Sequence, residues 1–259
     1  MNRIDNVFRN TRKKALIAYI TVGYPDIQAT LKVAQLLVRN GCDIIELGIP
    51  FSDPLADGIT IQNASYHALR NGVTPHTCLD IAGKLRRMVE IPIMFMTYYN
   101  PIFNYGDENF CRDCYNTGVD GLIVPDLPPD EAAELEQLIK ANDMDLVYLL
   151  APTSTEERIK IVTERSRGFV YLVSTSGVTG ARANLPVGLS SLIGRVKRVT
   201  TTPVCVGFGI STPEQIAKVG AIADGVIVGS RFIQLMEDAD GLTLIKNLVI
   251  EMRNSLDRL

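Results

Sequence analysis

Ile44-Ile45-Glu46-Leu47-Gly48-Ile49-Pro50-Phe51-Ser52-Asp53-Pro54-Leu55-Ala56-Asp57-Gly58 begins as a strand-like apolar run and turns into a loop. Glu46 closes the apolar run and Asp57 lies in the loop that follows. An ionisable group at the end of a buried strand is costly to desolvate, so it usually has a task. Two carboxylates in different surroundings can divide acid and base roles. A salt bridge or hydrogen bond inside a barrel mouth is the plain alternative for Glu46. A cap at the turn into Gly58 is the alternative for Asp57.

Working outward, apolar runs rich in β-branched residues alternate with amphipathic stretches. Strands are predicted at 16–21, 43–47, 92–97, 121–124, 146–150, 168–173, 204–206 and 225–228. Helices are predicted at 27–40, 75–89, 108–117, 130–142, 155–166, 189–199, 213–219 and 242–256. The strands show little polar alternation, which suits a parallel sheet covered on both faces. Thr74-Pro75, Pro128-Pro129-Asp130 and Ser211-Thr212-Pro213-Glu214 read as helix starts. Eight βα units in 259 residues fit a single (β/α)₈ TIM barrel domain spanning 1–259. A doubly wound sheet would want a Gly-x-Gly-x-x-Gly turn after the first strand, and Thr21-Val-Gly-Tyr-Pro is not one. A short polar helix within 2–14 would cover the barrel's bottom. Long loops follow the second strand (48–60) and the sixth (174–188), where barrels keep lids and active sites.

Composition narrows the function. Apolar residues make up 46% of the chain and net charge is −3. No basic tract invites nucleic acid or an anionic membrane. No apolar run reaches a membrane span and no signal-peptide core opens the chain, so a cytoplasmic protein is expected. Five cysteines do not resemble a disulfide framework, and Cys111-Arg-Asp-Cys114 lacks a second pair. Reduced structural thiols are expected. The two histidines, His67 and His76, follow no strand, so no metal site is expected.

Two Gly-bearing strand ends, Val206-Gly207-Phe208-Gly209 and Val228-Gly229-Ser230, read as a phosphate anchor. Gly207 and Gly209 would let backbone N–H groups approach phosphate oxygens, and Gly229-Ser230 would open a helix favouring an anion. Ser174–Gly180 could add donors. Tight strand-to-helix turns are the alternative reading of these glycines. No lysine ends a predicted strand, which disfavours Schiff-base chemistry. Acid–base work by carboxylates on a phosphate-bearing substrate remains, with Tyr171 or Tyr98 as helpers. Asp53 and Asp126 fit either loop caps or functional positions. Phe51, Phe208, Met96 and Tyr98 fit either a pocket lining or core.

The motif Glu46-Leu-Gly-x-Pro-Phe-Ser-Asp-Pro-x-Ala-Asp-Gly-x-x-Ile-Gln resembles the signature of the tryptophan synthase α-subunit family. So do Tyr98-x-Asn100-Pro, Gly121-x-Ile-Val-Pro-Asp126-Leu-Pro, Ala151-Pro-Thr, Tyr171-x-x-Ser-x-x-Gly-Val-Thr-Gly180 and Val206-Gly-Phe-Gly-Ile210. The likeness runs in order through essentially the whole chain.

The resemblance implies a (β/α)₈ fold and retro-aldol cleavage of indole-3-glycerol phosphate to indole and glyceraldehyde 3-phosphate. It implies that Glu46 is the general acid–base and that Asp57 holds the indole N–H. Tyr171 would position substrate. Tyr98, Phe208, Met96, Ile123 and Leu149 would line the indole pocket. Gly180, Gly209, Gly229 and Ser230 would hold the phosphate, and Thr179 would belong to a closing lid. Asp53, with Asp126, would serve communication with a β subunit in an αββα heterotetramer. That partner would carry pyridoxal phosphate, and this chain would need no cofactor. Ala183 and Tyr19 stand where Thr and Phe are common in the family. A free-standing indole-glycerol-phosphate lyase and a non-catalytic regulatory subunit are the alternatives.

Overall fold

A computed structural model describes residues 2–9, 13–173, 188–207 and 209–259. The described strands are β1 (Ala15–Thr21), β2 (Ile44–Gly48), β3 (Ile93–Met96), β4 (Gly121–Ile123), β5 (Asp145–Val147), β6 (Leu149–Leu150), β7 (Val170–Val173), β8 (Val204–Gly207) and β9 (Gly225–Val228). They form one sheet in the order β5-β4-β3-β2-β1-β9-β8-β7-β6, and every pairing is parallel. Its two edges, β5 and β6, are separated by Tyr148 alone, so a continuous run of chain closes the barrel. The predicted strand 146–150 is therefore divided in two. Its physical reason is local: the Tyr148 amide donates to Ser166 Oγ at 3.1 Å rather than to a neighbouring strand. The eight barrel positions are those predicted, with the fifth split.

Alternation along the strands builds two apolar shells. Ile17, Tyr19, Ile44, Met94, Tyr171, Cys205 and Ile227 fill the barrel. Leu16, Ala18, Ile20, Ile45, Leu47 and Val206 face the helices outside. Every residue of β1 is buried, as expected for a strand covered on both sides.

Helix starts follow the sequence signals with one exception. Asp26 caps α2 (Ile27–Arg39) by accepting from the Ala29 amide at 2.7 Å. Thr74 and Thr212 form capping boxes at α4 (Pro75–Arg86) and α10 (Pro213–Gly220). Pro128-Pro129-Asp130 instead opens a 3-10 turn over Pro129–Glu131, and the helix Ala133–Ala141 follows it. The second long segment, 174–187, lies outside the described residues. The first, 48–60, runs into α3 (Ile59–Arg70), a helix in a span without a predicted element. A further helix, α5 (Tyr99–Tyr105), occupies a span without a predicted element. Pro101 sits in its first turn, where no intrahelical amide bond is needed. Asp126 Oδ1 accepts from the Tyr99 amide at 2.9 Å, capping α5 from another loop.

The N-terminal helix α1 (Arg3–Phe8) is shorter than the predicted segment but does cover the barrel's bottom. Ile4 is fully buried and belongs to the inner shell. Asn2 Nδ2 donates to Asp145 Oδ2 at 2.7 Å and Arg3 pairs with Asp120 at 2.9 Å.

Two glycines at strand ends make room for tyrosines. A Cβ on Gly48 would collide with the Tyr19 hydroxyl, and one on Gly207 with the Tyr171 hydroxyl. The alanine variant Gly207→Ala is expected to lose about 1–3 kcal/mol in denaturant unfolding. Adding Tyr171→Phe removes the clashing oxygen and should recover part of that loss. Full stability in Gly207→Ala alone would contradict the packing described.

Candidate active site

Glu46 lies two residues beyond Ile44 on β2 and shares its inward face. It is register-paired with Tyr19 on one side and Met94 on the other. The side chain is 0% exposed, and neither carboxylate oxygen has a hydrogen-bond partner among the described residues. The salt-bridge alternative therefore fails. Burial alone pushes the carboxyl up to about 8.

Asp57 is not a helix cap: α3 takes Gly58 at its N-cap with no side-chain bond. Instead Asp57 Oδ2 accepts from the Tyr98 hydroxyl at 3.2 Å. The same hydroxyl accepts from the Ala56 amide at 2.9 Å. Tyr98 is thus the post that holds the loop after β2, with the Phe51 ring 5.3 Å from its own. Burial raises the Asp57 carboxyl to about 6, and the Tyr98 bond acts in the opposite direction. The two carboxyls are pushed to different values by different surroundings, which is how acid and base roles are separated.

Beside Asp57 opens a cavity; Glu46 does not line it, but Tyr19, its register partner, does. Tyr19, Asp57, Ile61, Met96, Tyr171 and Ile227 line its part over the barrel. Burial raises the Tyr171 hydroxyl well above its ordinary value, followed by the Glu46 and Asp57 charges. Tyr171 therefore sits in the field of both carboxylates.

Gly209, Ser211, Gly229, Ser230 and Arg231 line the side formed by the ends of β8 and β9. Gly209 has φ +76, and no described residue lies within 4 Å of the place a Cβ would take. It lines the cavity with no described side chain against it, as a close-approach anion site needs. Gly207 has a packing reason of its own, since a Cβ there would meet the Tyr171 hydroxyl.

The remaining sequence candidates divide. Ile123 belongs to the inner shell and Leu149 packs against it; neither borders the cavity. Asp53 is exposed and accepts from the Ser52 hydroxyl. Asp126 is exposed and caps α5. Phe208, Thr179 and Gly180 lie outside the described residues. Thr60, Arg231 and Gln234 line the cavity without having been singled out in the sequence. Arg231 directly follows the Gly229-Ser230 strand end, and that position was its only signal.

All five cysteines are buried and free, and burial pushes the Cys111 and Cys114 thiols up. Among the described residues no group of His, Cys, Asp and Glu could hold a metal. No described helix is long and apolar enough to cross a membrane.

A parallel barrel with two buried carboxyls at its mouth and a glycine-bordered opening beside them defines an acid–base enzyme of the (β/α)₈ class. The family model described as "Tryptophan synthase alpha chain" matches residues 6–255. The tryptophan synthase alpha chain of Dehalococcoides mccartyi is 56% identical over 257 residues, covering 99% of this chain and 100% of that protein. That of Geobacter sulfurreducens is 48% identical, covering 92% and 91%. A solved Mycobacterium tuberculosis tryptophan synthase structure superposes with TM-score 0.92 at 41% identity, covering 98% of each chain. The chain belongs to the tryptophan synthase alpha chain family. It is a lyase whose family reaction cleaves indole-3-glycerol phosphate to indole and glyceraldehyde 3-phosphate.

The two carboxyls set a pH window. The kcat/KM for cleavage should rise as Asp57 ionises near pH 6 and fall as Glu46 loses its proton near pH 8. Tyr98→Phe removes the bond that favours ionised Asp57, so its acid limb should move to higher pH. A profile flat between pH 5 and pH 9, of about that width, would contradict the assignment.

Stability carries an independent signature. Folded Glu46 holds its proton more tightly than the unfolded chain, so its contribution is complete below the ordinary value of 4.5 and is lost as pH rises toward about 8. The Glu46→Gln variant lacks this loss. It should gain on the parent chain by on the order of 1.4 kcal/mol per pH unit across that window, measured by denaturant unfolding.

Proposed function

We propose that Glu46 performs both proton transfers of the cleavage and that Asp57 stabilises the ring between them. Protonated Glu46 donates to indole C3, turning the ring into an electron sink. Positive charge develops at the ring nitrogen, and ionised Asp57 accepts the hydrogen bond of that N–H. Glu46, now a carboxylate, removes the proton of the side-chain hydroxyl. The carbon–carbon bond breaks, its electrons return to the ring, and indole and glyceraldehyde 3-phosphate leave. Glu46 ends protonated, so the cycle balances without a cofactor in this chain.

The observation that carries this reading is the buried, unpartnered Glu46 carboxyl, raised to about 8. Such a group keeps its proton at neutral pH and has no competing bond to break. Tyr171, Met96 and Tyr19 would hold the ring, Phe208 would add to the apolar wall, and Ile123 and Leu149 would back it from the inner shell. Gly180, Gly209, Gly229 and Ser230 would hold the phosphate, and Thr179 would act in the lid.

The family works with a β subunit. We place this chain in an αββα heterotetramer in the cytoplasm, as one barrel that presents its loop after β2 to the partner. Pyridoxal phosphate would reside in that partner, which takes over the indole. Leu55 in the loop is 93% exposed and Ile59 beside it 59%, an apolar display that suits burial against a protein. Asp53 on the same loop, and Asp126 through its hold on α5, would link the two sites.

Indole release by the purified chain, alone and with a β subunit, tests the reading. Release should be slow alone and rise strongly with the partner. Glu46→Gln should abolish it while glycerol 3-phosphate still binds nearly normally. Fast release without a partner would indicate a free-standing lyase. No release under either condition would leave a regulatory subunit.

A further inference from the structure

We propose that Arg231 is the cationic element of the phosphate end, and that it selects substrates carrying a doubly charged phosphate over uncharged ones. This rests on the phosphate reading of the opening bordered by Gly209 and Gly229.

Among the described residues lining the cavity, Arg231 is the one basic side chain and Asp57 the one acidic. Glu46 holds its proton at neutral pH, so ionised Asp57 is the one negative charge on the described lining. Such a cavity repels a phosphate monoester, whose second proton is lost near pH 6 and which is a dianion at neutral pH. A cation in the wall offsets that repulsion where the anion enters. Arg231 follows Gly229-Ser230 directly and lines the same cavity as Gly209.

The second observation is its lack of partners. Arg3, Arg86, Arg165, Arg195 and Arg253 are each tied to a carboxylate. Arg231 is half-buried, and no ion pair or hydrogen bond joins it to any other described residue. An anion meeting it displaces no bond already made. The planar guanidinium can meet two phosphate oxygens at once, which an ammonium cannot.

Calorimetric titration with glycerol 3-phosphate tests this on the full chain and on Arg231→Ala, Arg231→Gln and Arg231→Lys. Ala and Gln should weaken binding about tenfold or more, with Lys restoring part of the loss. The gap between parent and Arg231→Ala should narrow as salt is added. In cleavage assays KM should rise by a larger factor than kcat falls. Thermal unfolding of each variant keeps a folding defect from being read as lost binding; should Ala unfold, the near-isosteric Gln decides. If the parent binds and a folded Ala or Gln variant binds equally well, the Arg231 role is overturned while the phosphate reading stands. If the parent itself fails to bind, the phosphate reading falls and the proposal with it.

Discussion

Burial of one carboxyl group without a partner is the constraint on which the rest of the site depends. Glu46 lies inside the barrel because the two-residue period of β2 puts it on the face of Ile44. Ionising it there means placing a charge in an apolar shell, so the group stays protonated. A proton held at neutral pH by desolvation is a proton available for transfer. The closed barrel supplies the dry surroundings, and the strands around Glu46 hold it in place. Removing that burial would return Glu46 to an ordinary carboxylate that gives up its proton well below neutral pH.

The surroundings are built to keep that burial while leaving room for a ring. Tyr19 stands beside Glu46 in register, and Tyr171 reaches in from β7. Both hydroxyls fit only because Gly48 and Gly207 lack side chains. Tyr98 tethers the loop after β2 through the Ala56 amide and hands the other side of its hydroxyl to Asp57. Asp57 consequently keeps a hydrogen bond that Glu46 lacks, and this difference separates the two carboxyls. A single strand-loop unit thus yields an acid and an anion from two residues of similar chemistry.

Much of this was legible in the sequence, for identifiable reasons. Unbroken apolar strands alternating with capped helices pointed to a parallel barrel. Glu46 stood out because a charge closing a buried strand is expensive. The double reading of Asp57 could not be resolved from spacing, since a cap and a catalytic carboxylate look alike before Asp-Gly; the bare N-cap of α3 resolves it. The division at Tyr148 depends on a side chain from Ser166, which local sequence does not reveal. The short helix α5 leans on a cap from Asp126 and carries a proline that obscures its pattern. The packing of Tyr171 against Gly207 is not legible in the sequence, because a Gly-x-Gly strand end does not tell which approach each glycine permits. Arg231 is not legible as a site residue in the sequence, since one arginine after a Gly-Ser turn is ordinary until the cavity around it is known.

The protonation state of Glu46 in the resting chain tests the account most directly. Infrared difference spectroscopy of the parent chain against Glu46→Gln isolates the carboxyl stretch of that residue. The account predicts a protonated-carboxyl band present at neutral pH, absent from the variant, and titrating away near pH 8. A Glu46 already ionised near the ordinary value of 4.5 would contradict it, because a carboxylate at rest has no proton to give to the indole ring.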